Sequence, residues 1–314
     1  MSTSNLLVFG ATGAIGSYII AAIVNARDSF NRIAVFTSPN TLSAKETEIN
    51  VLRDKGVEIL VGDVTNKDDV LKAFDGIDTV ISALGRGVIT AQINVIEWAD
   101  SAPQIRRFLP SEYGTDIEYG PASASEKPHQ AKLQVRAALR ATKDLEYAFV
   151  VTGPYADVPF FLGANADPAY PGGSFDVKNK RAVLLGDGKG KISLVTVGDV
   201  GKFVVHTLTH WDKARGRALK LNSFTTTPDE ILAEFEKQTG EKWSVEYTPL
   251  DRLRELEKEA WEKGRPDATG LTLRRIWTEG GTLYERRDNE DIGADDTVTL
   301  AGAVKDAIRA QLSK

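Results

Sequence analysis

Asn5-Leu6-Leu7-Val8-Phe9-Gly10-Ala11-Thr12-Gly13-Ala14-Ile15-Gly16 is the stretch on which the reading of this chain turns. Asn5 to Phe9 reads as an apolar strand, and Ile15, Ile19, Ile20 and Ile23 fall on one face of a helix over Ala14 to Ala26. Between them, Gly10 permits a tight turn, Gly13 lets backbone N–H groups approach a phosphate, and Gly16 allows the helix to lie close on the strand. Glycine-rich corners are common where strands meet helices. With a strand before, a helix after and another β-branched run beyond, this one reads as a dinucleotide-binding turn, with Gly10, Thr12, Gly13, Ala14, Ile15 and Gly16 facing the ligand.

Outward from that turn, short apolar runs alternate with helical periodicity. Strands are expected at Arg32 to Phe36, Val57 to Val61, Thr79 to Ser82, Arg107 to Leu109 and Tyr147 to Val151, and a helix at Glu126 to Thr142. The rhythm specifies an α/β class with a doubly wound parallel sheet. Then Gly153-Pro154, Pro159, Pro168 and Pro171-Gly172-Gly173 interrupt regular structure. A turn at Gly186 to Gly190 leads to a strand, Ile192 to Thr196, and to a helix opened by Asp199. A helix at Thr227 to Gln238, a strand at Trp243 to Tyr247, a charged helix at Leu250 to Lys263 and a last helix near Leu300 to Leu312 complete the reading.

Composition narrows the function. The 314 residues are 42% hydrophobic and 26% charged, with a net charge of −5 and no cysteine. Thiolate catalysis and cysteine-ligated metals are excluded, and a mildly acidic chain carries no electrostatic footprint for nucleic acid. No segment has the length of apolar sequence a membrane span needs, and no secretory signal can be fitted to Met1 to Asn5, so a cytoplasmic protein is expected.

The tip of the second strand reads Phe36-Thr37-Ser38-Pro39-Asn40. An acid there would bind a free ribose 2′-hydroxyl, and none is present. Thr37 and Ser38 could donate to a 2′-phosphate with Lys45 supplying charge, which favours NADP(H); an ordinary turn and a solvated lysine are the alternative reading of the same residues. Asp63, in Gly62-Asp63-Val64, could reach the adenine or act as a cap.

Taken with Ala83-Leu84-Gly85, Arg107-Phe108-Leu109-Pro110-Ser111-Glu112-Tyr113-Gly114, Ala131-Lys132-Leu133-Gln134-Val135-Arg136, Gly186-Asp187-Gly188 and Gly198-Asp199-Val200-Gly201, the chain resembles the isoflavone reductase-like group of atypical short-chain dehydrogenases, bordering the NmrA-like regulators. The likeness runs nearly end to end, and the Leu-Pro-Ser-Glu-Tyr-Gly run is its most specific part. It implies a Rossmann domain over 1–155 and a smaller substrate lobe mainly in 156–314, with 191–210 returning to the first. It also implies NADPH as hydride donor, cofactor contacts at Ala83, Leu84 and Gly85, and small aromatic substrates. Phe36 stands where the group carries an arginine that stacks on adenine and meets the 2′-phosphate; a phenylalanine could stack there but not pair.

No tyrosine has a lysine four positions later, so the usual short-chain dehydrogenase pair is missing. The resemblance instead assigns Lys132 the catalytic place, with a cofactor contact as well. His129, one turn before, could relay a proton or simply begin the helix. Tyr155, Phe160, Phe161 and Tyr170 could line an aromatic pocket or pack a core. His206 and His210 have ligand spacing but no third partner in view, and Gly-x-Ser-x-Gly is absent, so metal and serine-hydrolase chemistry are disfavoured. A non-catalytic NADP(H) sensor and a cofactor-assisted dehydratase or isomerase stand as alternatives to the reductase.

Overall fold

The computed structural model describes residues 4–158, 160–165, 167 and 170–313. Pro159 and Pro168, two of the expected breakers, lie outside the described residues. Six parallel strands form the central sheet: β1 (Ser4–Phe9), β2 (Phe30–Thr37), β3 (Glu58–Val61), β4 (Thr79–Ser82), β5 (Arg107–Leu109) and β6 (Glu146–Tyr147). Their order is β3-β2-β1-β4-β5-β6, a Rossmann arrangement whose direction of winding reverses between β1 and β4. A crevice opens outside the carboxyl ends of the strands at such a reversal.

β1 is buried on both faces, which is why it reads as an unbroken apolar run. Leu6 and Val8 face one core with Ile19, Ile20 and Ile23 of the helix Gly16–Asn25; Leu7 and Phe9 face the other. The helix Val197–Thr209 returns to lie on Gly16–Asn25. The approach is close: a Cβ at Gly201 would sit 2.5 Å from the carbonyl oxygen of Tyr18. Trp211, Leu219, Leu221, Ile292 and Ala294 join this same core from the far half of the chain.

The expected strand Tyr147 to Val151 is two strands. Glu146 and Tyr147 pair with β5, the chain leaves the sheet at Ala148, and Phe149–Val151 pairs in parallel with Ala218–Lys220. The run is apolar throughout because both partners bury it, so nothing local marks the change. Asp199 does not open its helix either. Thr196 is the cap, accepting from the Asp199 backbone N–H, while Asp199 is fully buried and takes the Ser223 hydroxyl and the Val298 N–H.

The second half builds a smaller α/β layer. Ser174–Asp176, Arg181–Leu185 and Ser244–Thr248 form a three-stranded sheet, and Ile192–Leu194 pairs antiparallel with Phe224–Thr226. The helix Pro228–Thr239 opens with a reciprocal Thr227–Glu230 capping box. Helices Leu250–Glu262 and Ala268–Thr278 pack as a pair, and the closing helix is Leu300–Leu312. Ala268–Thr278 has no counterpart in the sequence reading.

Candidate active-site cleft

A cleft of about 540 Å³ lies at the winding reversal, between the carboxyl ends of the sheet and the helix Ala268–Thr278. Its base is the glycine-rich turn. Gly10 has φ +74°, and a Cβ there would lie 2.5 Å from the Ala83 carbonyl oxygen; at Gly16 it would lie 2.0 Å from that of Gly10. Both positions therefore demand glycine. Gly13, Ala14 and Ile15 line the cleft opposite Ala83, Leu84 and Gly85, and a Cβ at Gly85 would meet nothing within 4 Å. This leaves open backbone at the start of a helix, a cradle that fits a dinucleotide diphosphate.

The second turn differs from expectation. Phe36 is 5% exposed, with its ring 4.9 Å from that of Phe9 and directly beneath Gly62, so it is a core residue and offers no face to an adenine. Pleat alternation turns it to the Phe9 side of the sheet. Thr37 is buried, and the Ser38 hydroxyl is engaged as the N-cap of Pro39–Ala44. Lys45 reaches back to donate to the carbonyl of Thr12, tying this helix end to the glycine-rich turn. Asp63 accepts from the backbone N–H and hydroxyl of Thr65, which hold its carboxyl below the usual range in a local capping turn.

The wall is Pro110 to Gly114, leaving β5. Ser111 donates its N–H to Gln92 and its hydroxyl to the Leu84 carbonyl, and Tyr113 sits at φ +27°, a left-handed geometry that costs a non-glycine residue energy. Tyr155 donates its hydroxyl to the Tyr113 carbonyl and holds that turn. Lys132, from the helix Gln130–Arg140, donates from Nζ to the Glu112 carbonyl.

One turn along that helix, fully buried Arg136 grips both Glu112 carboxylate oxygens, at 3.0 and 2.9 Å, and reaches Glu118 at 2.6 Å. With the Glu112 carboxylate engaged, the Lys132 ammonium has, among the described residues, a carbonyl as its hydrogen-bond partner. Burial pushes it down to about 8, the nearby Arg86 and Arg136 charges push the same way, and the Glu112 charge opposes them. His129 is buried with Nδ1 3.1 Å from the Ser123 carbonyl oxygen; its Nε2 has no hydrogen-bond partner among the described residues, and burial lowers its pKa.

Lys132, His129, Tyr155, Phe160 and Phe161 thus line one cleft with the glycine-rich turn. Tyr170 does not. Its hydroxyl donates to Asp267 at 2.9 Å and its ring packs beside the Leu185, Leu253 and Leu256 cluster, so partners on the far helices claim it. His206 and His210 stack at 6.0 Å away from the cleft, with the His206 ring bonded to the Ile292 carbonyl. Among the described residues no three His, Cys, Asp or Glu side chains gather as a metal site. Sequence reasoning missed Arg86, Arg274 and Trp277, which also line the cleft; Trp277 donates its indole N–H to Thr115 at 2.8 Å. The last two are on the unforeseen helix, and their only signal was proximity in three dimensions.

The NmrA-like family model matches residues 2–275. The chain belongs to the NmrA-like family. Within it the chain is similar to the isoflavone reductase homolog IRL of Zea mays, 30% identical over 80% of this chain and 79% of that one. It is also similar to oxidoreductase aprR of Aspergillus flavus, 29% identical over 87% of each chain. Among solved structures, leucoanthocyanidin reductase with NADPH from Vitis vinifera shares the fold at TM-score 0.81 and 21% identity, covering 97% of this chain and 99% of that one. AtPrR2 with NADP+ and (+)-pinoresinol does so at 0.78 and 21%, with the same coverage. These likenesses place the NmrA-like chain in the isoflavone reductase-like group with a shared architecture. No described helix is long and apolar enough to cross a membrane.

Proposed function

We propose that this chain is an NADPH-dependent reductase of a small aromatic or conjugated compound, with Lys132 handling the proton. The supporting observation is the Lys132 ammonium: half-buried in the cleft, anchored on a backbone carbonyl, with a pKa brought to about 8. The names of the relatives support the reductase class, and the open space at Gly85, facing Gly13 to Ile15 at the start of the helix, suits the diphosphate.

NADPH, when bound, supplies the hydride. The chain does the rest. Gly13 to Ile15 and Ala83 to Gly85 hold the cofactor, and Lys45, already against the Thr12 carbonyl, supplies charge for a 2′-phosphate. Tyr155, Phe160 and Phe161 bound an apolar space that orients an aromatic ring and excludes water. Lys132 donates its Nζ proton to the substrate oxygen on which negative charge develops. A lysine near pKa 8 is mostly protonated at neutral pH yet gives up its proton more readily than a solvated one.

Single-turnover NADPH oxidation with aromatic enones, quinone methides and benzylic ethers tests this, comparing native chain with Lys132→Ala. A loss of about 10²- to 10⁴-fold with retained NADPH binding is expected. Native turnover by the variant, or no oxidation of NADPH by the native chain with any substrate class, refutes it.

A further inference from the structure

On the helix Ala268–Thr278 two arginines stand side by side with opposite surroundings. Arg275 gathers three carboxylates, Glu126, Glu257 and Glu279, at 2.6 to 2.9 Å. Arg252, Arg254 and Arg265, on and beside the paired helix, each hold at least one. Arg274 holds none among the described residues. Its guanidinium lines the cleft and, among the described residues, makes one bond, from Nη1 to the Gly173 carbonyl at 3.2 Å, beside Phe161, Leu185 and Tyr170. Burial without a counter-charge lowers its pKa. Among the described residues, most of its five-donor fork has no partner in this apolar wall.

The charge lining the cleft is therefore one-sided. Arg86, Lys132 and Arg274 contribute cations, and the acid that lines it, Glu112, has its carboxylate occupied by Arg136. Position separates the cations. Arg86 follows Gly85 on the cofactor side and bonds the Pro128 carbonyl, whereas Arg274 lies beside Gly173 and Leu185, where the cleft adjoins the three-stranded sheet of the second half. A guanidinium fork in an apolar wall matches a carboxylate, which is ionised at neutral pH and can take two parallel N–H bonds.

We propose that the cleft takes an aromatic substrate bearing a carboxylate, and that Arg274 pairs with that carboxylate at the end of the molecule remote from the reacting atoms. This rests on reading the cleft as the substrate site. Leu273 and Trp277 on the same helix, with Phe161 across from them, flank the ring, and Arg274 fixes how far the molecule enters. A neutral aromatic of the same shape would leave the guanidinium desolvated and unpaired, so the arginine selects against it as well as for the acid.

The test is calorimetric titration of the full chain, with and without NADP+, using benzoate, trans-cinnamate and 2-naphthoate, each against its methyl ester. The native chain should prefer at least one acid by about tenfold or more, the range of a charge-assisted bond. Arg274→Met should erase that preference by weakening the acid, with the ester bound as well as or more tightly than before and NADP+ affinity within about twofold, and Arg274→Lys should keep part of it. Thermal midpoints check that both variants are folded, and Arg274→Lys decides if the methionine variant is not. No preference in any pair overturns the proposal, as does an equal loss for acid and ester. Weakened NADP+ affinity alone also overturns it, by assigning Arg274 to the cofactor. If the native chain binds no NADP(H), the reductase reading fails, while the acid-ester comparison without cofactor still decides this one.

Discussion

Lys132 rests its ammonium on the backbone carbonyl of Glu112, the same residue whose carboxylate is clamped by Arg136 one helical turn later. Backbone and side chain of one glutamate thus serve two cations. The ion pair positions the carbonyl, and the carbonyl positions the Lys132 ammonium.

The pH dependence of reduction should follow Lys132. Its acid form is present below about 8 and disappears above it, so kcat/KM falls as pH rises through that value. Glu112→Gln removes the charge that supports the ammonium, so the falling limb should move to lower pH. A limb that stays in place in this variant would assign it to another group.

Arg136→Met should destabilise the chain by roughly 3–5 kcal/mol, because it strands the buried Glu112 carboxylate. Arg136→Lys restores charge but not the two-pronged grip, and should recover only part. Denaturant unfolding of the three proteins reads this directly. A loss under about 1 kcal/mol for the methionine variant would contradict the clamp.

Two glycines of the same turn should fail differently. Gly16→Ala forces a Cβ to 2.0 Å from the Gly10 carbonyl oxygen, so the helix must shift and stability should drop by about 1–3 kcal/mol or more. Gly13→Val meets that oxygen at 3.1 Å, tight but negotiable, and should leave a folded chain that no longer binds NADPH. Thermal midpoints and NADPH titration separate them; unchanged affinity in folded Gly13→Val would remove the turn from the binding site.

Lys45→Ala should weaken NADPH by roughly 1.5–3 kcal/mol and NADH much less. Phe36→Ala should instead cost about 3–5 kcal/mol of stability, as a buried ring does. Equal losses for both cofactors in Lys45→Ala would confine that lysine to its tie with Thr12.

Acid should loosen the Glu118 corner. Hydrogen bonding from Arg140, and then from Arg136, holds this carboxyl near 2, so its stabilising contribution is present above the usual carboxylate range and is lost as pH falls toward 2. Glu118→Gln should flatten that part of the stability profile. Being partly exposed, the group contributes modestly.

What the sequence disclosed was what neighbours in sequence decide. Strand, glycine turn and helix from Asn5 to Ala26 are specified by local spacing, and the structure keeps them with small shifts at the ends. What it withheld depends on partners far along the chain. Phe36 lies near a strand tip like a ligand contact, yet Phe9 and Gly62 claim its ring. The helix Ala268–Thr278 was illegible because its buried Ala268, Leu271, Thr272 and Ile276 are interrupted by Arg274 and Arg275, the latter held by the distant Glu126 and Glu257. Its contributions to the cleft, Arg274 and Trp277, were hidden with it.

One core gathers Leu6 and Val8 with Trp211, Leu219, Leu221, Ile292 and Ala294. A gene fragment ending near residue 155 would therefore code for a cofactor half stripped of part of its own interior. A second half joined on from a relative by a single crossover would have to bring its own side chains to fill that interior.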